Sequence, residues 1–370
     1  MTFTFTEEQE ELRIVVRRLL AQMSPSPVLR RAMDSEWGYD PALWRRMAVE
    51  LGVHGLGIPE RFGGCGGGPI ELGIVLEEMG RALVPSPYFS AVALSGQALV
   101  ASGDDALCAR WLPAIADGSL IATLALAEAS GGWRLADVST EAARTDAGWT
   151  VSGTKMFVID GEAADLLLVI ARAESGPGLF AVAGDAPGVV RTRLETLDPT
   201  RRLARVDLEG APVQPVGTVG DTAYLRTVVD LATVALAAEQ VGGAQACLDA
   251  AVQYAKTRWQ FGRPIGSFQA IKHKCANLLL DVEAARSAVY HATAVAAGEP
   301  DGLSVAAALA AVWASTAFTH AAKENIQIHG GLGYTWEHDA HLYLKRAKSS
   351  EHLFGSPAMH RSLLADLVGI

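Results

Sequence analysis

The chain is short of cysteine: only positions 65, 108, 247 and 275 carry one, and no two are close in sequence. That spacing excludes a CxxC redox pair and a metal knuckle, so no metal centre is expected and the thiols read as free groups of a reducing cytoplasm. Cys65, in a glycine-rich loop, is the one with accessible chemistry. Basic residues are also scarce. With 31 Lys and Arg against 41 Asp and Glu, the formal net charge is −10. No broad nucleic-acid surface is expected from that balance, nor attraction to an anionic membrane, although a local basic patch for a phosphorylated ligand remains open. The first residues, Met-Thr-Phe-Thr-Phe-Thr, lack the basic and apolar regions of a secretory signal. The least polar stretch, Leu303 to Ala322, is alanine-rich and carries Ser304, Ser315, Thr316, Thr319 and His320. It reads as a packed bundle helix rather than a membrane span.

What is present is enough apolar material for a large interior: half of 370 residues are hydrophobic. That length exceeds one ordinary core, so two or three domains are expected. Residues 1–118 read as helical. Thr6-Glu-Glu-Gln9 is a capping box that opens a helix from Glu7 to about Met23. Asp40-Pro41 starts another, with proline at its first position. Further helices are expected over Pro69–Leu83, Ser90–Ala101 and Ala106–Gly118. The loop Gly63-Gly-Cys-Gly-Gly-Gly68 is not a nucleotide P-loop, because no Lys-Ser/Thr follows it and no strand precedes it.

Over residues 119–218 the texture changes. Short Val, Thr, Leu and Ile runs alternate with Gly and Asp turns at Leu120–Ala127, Glu141–Thr145, Trp149–Ser152, Lys155–Ile159, Leu166–Ala171, Gly178–Ala183, Val189–Thr192 and Arg205–Leu208. This spacing predicts a β-sandwich or barrel. Residues 219–370 return to a helical period, with long helices over Thr222–Ala255, Ser267–Ala297, Leu303–Gly330 and Glu337–Ser349 and a last one from Pro357. Together these make a four-helix bundle. The fold class is α+β and multidomain.

Two stretches in the last region carry chemistry. Arg258-Trp-Gln-Phe-Gly-Arg-Pro-Ile-Gly-Ser-Phe-Gln269 combines a guanidinium fork suited to pyrophosphate with an amide and an aromatic ring. Gln327-Ile-His-Gly-Gly-Leu-Gly-Tyr334 ends a helix with glycines that let a backbone approach a ligand closely. The pair resembles the acyl-CoA dehydrogenase family. Gly57-Ile-Pro-Glu-Arg-Phe-Gly-Gly64, Leu76-Glu-Glu-Met-Gly-Arg81 and Trp149-Thr-Val-Ser-Gly-Thr-Lys155 are similar to its N-terminal and middle domains. The resemblance spans essentially the whole chain. It implies FAD as cofactor, an acyl-CoA substrate, α,β-dehydrogenation and electron-transfer flavoprotein as acceptor. It also implies that Arg258, Gln260, Phe261, Gln327, Gly330 and Gly331 reach the FAD of a neighbouring subunit in a homodimer, homotetramer or heterotetramer.

The family's reaction needs a carboxylate base, donors for the thioester oxygen and a flavin held flat. Against the family's pattern this chain is altered at each. Gly355, in Leu353-Phe-Gly-Ser-Pro357, matches the place of the usual glutamate and could offer only its backbone N–H to substrate. A second subgroup carries its base at the position of Ala232, next to Thr233. Seven residues on, two helical turns and about 10 Å along the axis, stands Glu239. It is the remaining candidate base, with pairing to an arginine as the other reading. Asp230 lies on another face of that helix. In the middle domain Ala127-Glu-Ala-Ser-Gly-Gly-Trp-Arg134 keeps Glu128 but lacks the Pro and the Ser-Asp of the family's motif. Phe157 stands where a flavin-covering Trp is usual, and Ile159 where a hydrogen-bonding Thr is usual. Three functions follow: an FAD-dependent acyl-CoA dehydrogenase using Glu239; a silent subunit completing the FAD site of a heteromer, similar to subunits of bacterial dehydrogenases of steroid or bulky acyl-CoA; or a flavin oxidase or monooxygenase.

Overall fold

The computed structural model describes residues 4–298 and 301–370. Contacts divide it into two compact units: one of Met1–Arg31, Gly73–Val84 and Thr233–Ile370, the other of Ala32–Leu72 and Pro85–Ala232.

The second unit holds helix α3 (Pro41–Val49), a π-helical turn over Phe89–Gly96, α5 (Gln97–Ser102), α6 (Asp105–Ala116) and all seven long strands. The single helix expected over Ser90–Ala101 is therefore two pieces of different winding. Asp40 caps α3 as its sequence suggests, accepting from Ala42 N at 2.8 Å. The strands are β1 (Ala122–Ala125), β2 (Glu141–Thr145), β3 (Gly148–Ile159), β4 (Leu166–Ala173), β5 (Gly176–Ala183), β6 (Val189–Arg193) and β7 (Leu203–Val216). Pairing runs β4–β2–β3–β7–β5 and back to β4, which closes a barrel; β1 adds to β4 in parallel and β6 to β7. Closure explains why β4 is almost continuously apolar: Leu166 to Ala171 are no more than 1% exposed. The two expected strands 149–152 and 155–159 are one, interrupted by register shifts at Val151/Gly153 and Lys155/Val158.

The first unit holds α1 (Glu7–Met23), the body of α4 (Pro69–Arg81), most of α7 (Thr222–Thr257), α8 (Gln269–Ala297), α9 (Leu303–His329), α10 (Ala340–Ser350) and α11 (Pro357–Val368). The capping box of α1 is formed in both directions, Thr6 to Gln9 and Gln9 to Thr6. α9 is long and apolar enough to cross a membrane by composition, but Ala306, Ala310, Ala314, Ala317 and Ala321 are buried against neighbouring helices. Small side chains let the helices come close. α4 and α7 approach closely. A Cβ on Gly80 would lie 1.9 Å from the Glu239 carbonyl oxygen, and one on Gly242 would lie 1.8 Å from that of Glu77. The two helices thus touch backbone to backbone, at positions only glycine can occupy. Glu77 then ties three helices, accepting from Arg13 of α1 at 2.9 Å, from Tyr290 of α8 at 2.9 Å and from Arg286.

Candidate functional site

α7 and α9 end side by side. Ala251, Ala255 and Ile328 pack together with Tyr254, Ile265, Ile271 and Cys275, and Tyr254 stacks on His329 with ring centroids 4.2 Å apart. This packing brings both sequence motifs to one end of the helical region. Beyond α7 the chain folds into a short hairpin, β8 (Trp259–Gln260) against β9 (Arg263–Pro264). Its base is closed by Ile265 N donating to Arg258 O at 2.8 Å. The turn is made by Phe261 and Gly262, both with left-handed backbone (φ +52° and +75°). The strained Phe261 is pushed outward and is 88% exposed. Arg258, Gln260 and Gln327 are exposed as well.

At the end of α9, Gly330 takes φ +60°, and its N–H bonds back to Gln327 and Ile326. A Cβ on either Gly330 or Gly331 would meet nothing within 4 Å. Both helices present their C-terminal ends here, where the helix dipole repels an anion. An anionic ligand at this end must therefore draw its attraction from a side chain, and Arg258 supplies one.

The other sequence-selected residues belong to other elements. Phe157 sits in the β3 bulge with φ +56° and is 37% exposed, while Ile159 beyond it is buried. The bulge turns Phe157 out of the ladder. In the same barrel, Glu128 is enclosed. It accepts from Lys155 at 2.7 Å, from Thr140 N at 2.9 Å and from Thr140 Oγ1 at 2.7 Å, and also from the Ser139 hydroxyl. Burial alone would raise this carboxyl, but the donors outweigh it and hold it at about 2. Burial draws Lys155 down to about 8 against the pull of Glu128, so both remain ionised at neutral pH. Glu128 is thus engaged within the barrel domain.

Glu239 is 5% exposed on α7 and accepts from Arg346 Nη1 of α10 at 2.8 Å; Arg346 is itself 3% exposed. This is the geometry of a structural ion pair. Gly355 is buried with φ +118°; a Cβ there would fall 1.9 Å from the Met359 methyl. The positive φ thus favours glycine at that turn, while the Met359 methyl is the end of a flexible side chain that can move aside. Its neighbour Phe354 is also buried, and Ser356 caps α11 through Met359 N at 3.2 Å. The whole stretch from Leu353 to Pro357 contains no carboxylate.

Models of the acyl-CoA dehydrogenase N-terminal, middle and C-terminal domains match residues 6–119, 123–210 and 222–369. This chain belongs to the acyl-CoA dehydrogenase family. It is 39% identical over 352 residues to acyl-CoA dehydrogenase IpdE2 of Mycobacterium tuberculosis, covering 95% of this chain and 94% of that one. Among solved structures it resembles the ChsE4–ChsE5 complex from Mycobacterium tuberculosis, with TM-score 0.92 and 31% identity over 100% of this chain and 99% of the other. It also resembles a variant of the Tcur3481–Tcur3483 steroid acyl-CoA dehydrogenase, with TM-score 0.89 and 33% identity over 98% of each chain. The family is one of FAD-dependent oxidoreductases.

The donor set at the α7–α9 end fits one end of that cofactor: an exposed guanidinium for a phosphate, an amide on each motif, an exposed ring, and a backbone turn with open space at both glycines. Sequence reasoning missed three features here. The motifs carry more exposed aromatic surface than Phe261 alone: Trp259 and Tyr334 within them and Trp336 just after the second are all exposed. The Glu128–Lys155 and Glu77 networks join residues 27 to 213 apart, a separation with no local signature.

Proposed function

We propose that this chain is the cofactor-completing subunit of a heteromeric, FAD-dependent acyl-CoA dehydrogenase. It presents Arg258, Gln260, Phe261, Gln327, Gly330 and Gly331 to FAD seated on a second, catalytic subunit, and leaves proton abstraction to that subunit. The observation that carries this reading is the state of its carboxylates. Glu239 is closed in a buried pair with Arg346, Ala232 has no acid, and the 353–357 turn has none either. A base must reach the α carbon of its substrate, and a carboxylate held by a buried guanidinium is committed elsewhere.

Bound FAD supplies the acceptor for the hydride leaving the β carbon. The work of this chain is to hold the far end of the cofactor. Arg258 offsets phosphate charge, Phe261 offers a flat face, and the Gly330–Gly331 turn lets backbone come near. Phe157 and the Gly355 N–H are then relics of a site that turns over in the partner. A bulky or steroid acyl-CoA is the substrate class we infer, by likeness to the steroid dehydrogenase above. Electron-transfer flavoprotein as acceptor and a cytoplasmic location complete the reading.

The test is to purify the chain alone and with a candidate catalytic subunit. The expected outcome is colourless, inactive chain alone and a yellow, active complex. Stable flavin and acyl-CoA dehydrogenation by the chain alone would overturn it; peroxide formed in air with substrate would instead indicate an oxidase.

A further inference from the structure

Two histidines flank the Gly330–Gly331 turn, and the reading above gives them no role. His329 closes α9 directly before Gly330. Its Nδ1 lies 2.8 Å from the Asn325 carbonyl oxygen, which can only accept, so Nδ1 carries the proton. One face of its ring stacks on Tyr254, and the His338 ring packs against it at 4.5 Å between centroids.

His338 follows the turn and precedes α10. Its Nδ1 accepts from Ala340 N at 3.1 Å. Ala340 is the first residue of α10, and Asp339, at the cap position, makes no side-chain cap bond. The imidazole therefore satisfies the first amide of the helix, and it can do so only as a neutral ring protonated on Nε2. The expected start of this helix at Glu337 is displaced to Ala340, where His338 takes up the capping role.

The charged surroundings are defined. From α2 (Ser26–Asp34), Arg30 donates to Asp339 Oδ1 at 2.6 Å and to Trp336 O at 2.7 Å, and Ser26 donates to the same Asp339 oxygen at 2.8 Å. From α10, His341 lies 3.4 Å from Trp336 O, and the Lys345 ammonium sits 4.6 Å from the centre of the Trp336 ring. Asp339 is thus occupied by Arg30 and Ser26.

We propose that His338 is a positioning residue for the Gly330–Gly331 turn: neutral, it caps α10 and buttresses His329; protonated, it releases both. A proton on Nδ1 removes the acceptor for Ala340 N. It also places positive charge at a helix N-terminus, beside Arg30 and against His329. Burial lowers both His338 and His329 from the ordinary imidazole value, with Arg30 and His341 adding to the effect at His338 and Asp339 opposing it. The sign follows. A histidine favoured neutral in the fold loses stabilisation as pH falls below about 6.5, and the loss is complete below its depressed value. That this turn receives the cofactor rests on the function proposed above.

The experiment is hydrogen exchange, read as protection factors for residues 330–336 and the Ala340 amide, at pH 8 and pH 5. The full chain is compared as wild type, His338→Asn and His338→Ala. Asn keeps a carbonyl acceptor that does not titrate. Protection in the wild type should fall about fivefold at pH 5, the equivalent of one lost cap. His338→Asn should be protected at both pH values, and His338→Ala at neither. Protection that does not fall in the wild type, or falls equally in His338→Asn, overturns the proposal. If His338→Asn does not fold, the wild-type profile still decides. FAD retention by the assembled complex is measured in parallel. Protection that falls while FAD retention holds would spare the positioning role and refute the turn as a cofactor site.

Discussion

At the end of α7 the polar groups face outward: Arg258 and Gln260 are exposed, Phe261 is largely exposed with its ring edge-on to Phe268, and the neighbouring glycines of the 330 turn have empty space where side chains would be. Further back along the same helix the arrangement is reversed. Glu239 is buried, its carboxylate is held by Arg346, and its carbonyl oxygen lies against Gly80 of α4. The first set is built to meet something outside the chain, and the second is spent inside it. On the function proposed above, one helix separates two roles that an independent enzyme would need to combine, cofactor contact and a carboxylate able to take a proton. The loss of acid from the 353–357 turn extends the same division.

Four results would sharpen or break this contrast. The largest effect is expected at the α4–α7 contact. Gly80→Ala or Gly242→Ala forces a methyl into a backbone carbonyl and should cost about 3 kcal/mol or more, read as a fall in urea midpoint. Glu239→Gln alone should destabilise by about 3 kcal/mol, because it strands the Arg346 charge in the interior while keeping one acceptor for it. A cost below about 1 kcal/mol would mean that Glu239 is more available than its geometry indicates.

Acid titration of stability is the third. Glu128 is depressed to about 2 in the fold against 4.5 when unperturbed. Its contribution is present above pH 4.5 and lost as pH falls toward 2, about 3 kcal/mol in all. Glu128→Gln should flatten that part of the profile. The smallest folding effect belongs to the outward-facing set. Gly331→Ala and Arg258→Ala should leave stability within about 0.5 kcal/mol of wild type. Both should nonetheless weaken FAD retention in the complex, measured by flavin absorbance after dialysis. Unchanged retention would remove the outward set's proposed purpose.

Much of this fold was legible because its signals are local. The Thr6–Gln9 capping box, the Asp40-Pro41 helix start and the alternating β runs each depend on neighbours in sequence. The Arg258–Gln269 and Gln327–Tyr334 stretches, which we propose meet the cofactor, stand out in the sequence for the same reason. Boundaries shifted where tertiary structure intervened: β3 absorbs two expected strands because bulges let it continue, and α10 starts late because His338 caps it. Glu239 was visible as a carboxylate that is either a base or an arginine's partner, but the arginine lies 107 residues away on another helix, and no local pattern names it. The glycine at 355 was readable as a missing acid. That the backbone φ also favours a glycine there has no signature in the neighbouring residues.

On the function proposed above, Glu239 is structural and the base lies in another subunit. Replacing the whole ion pair tests it most directly, since Glu239→Leu with Arg346→Met removes the carboxylate without stranding a charge. In the flavin-loaded complex, kcat for acyl-CoA dehydrogenation by this double variant should stay within about threefold of wild type, far short of what loss of a general base costs. A fall of about a hundredfold or more, with folding and flavin content intact, would show that Glu239 takes the proton and would contradict the account.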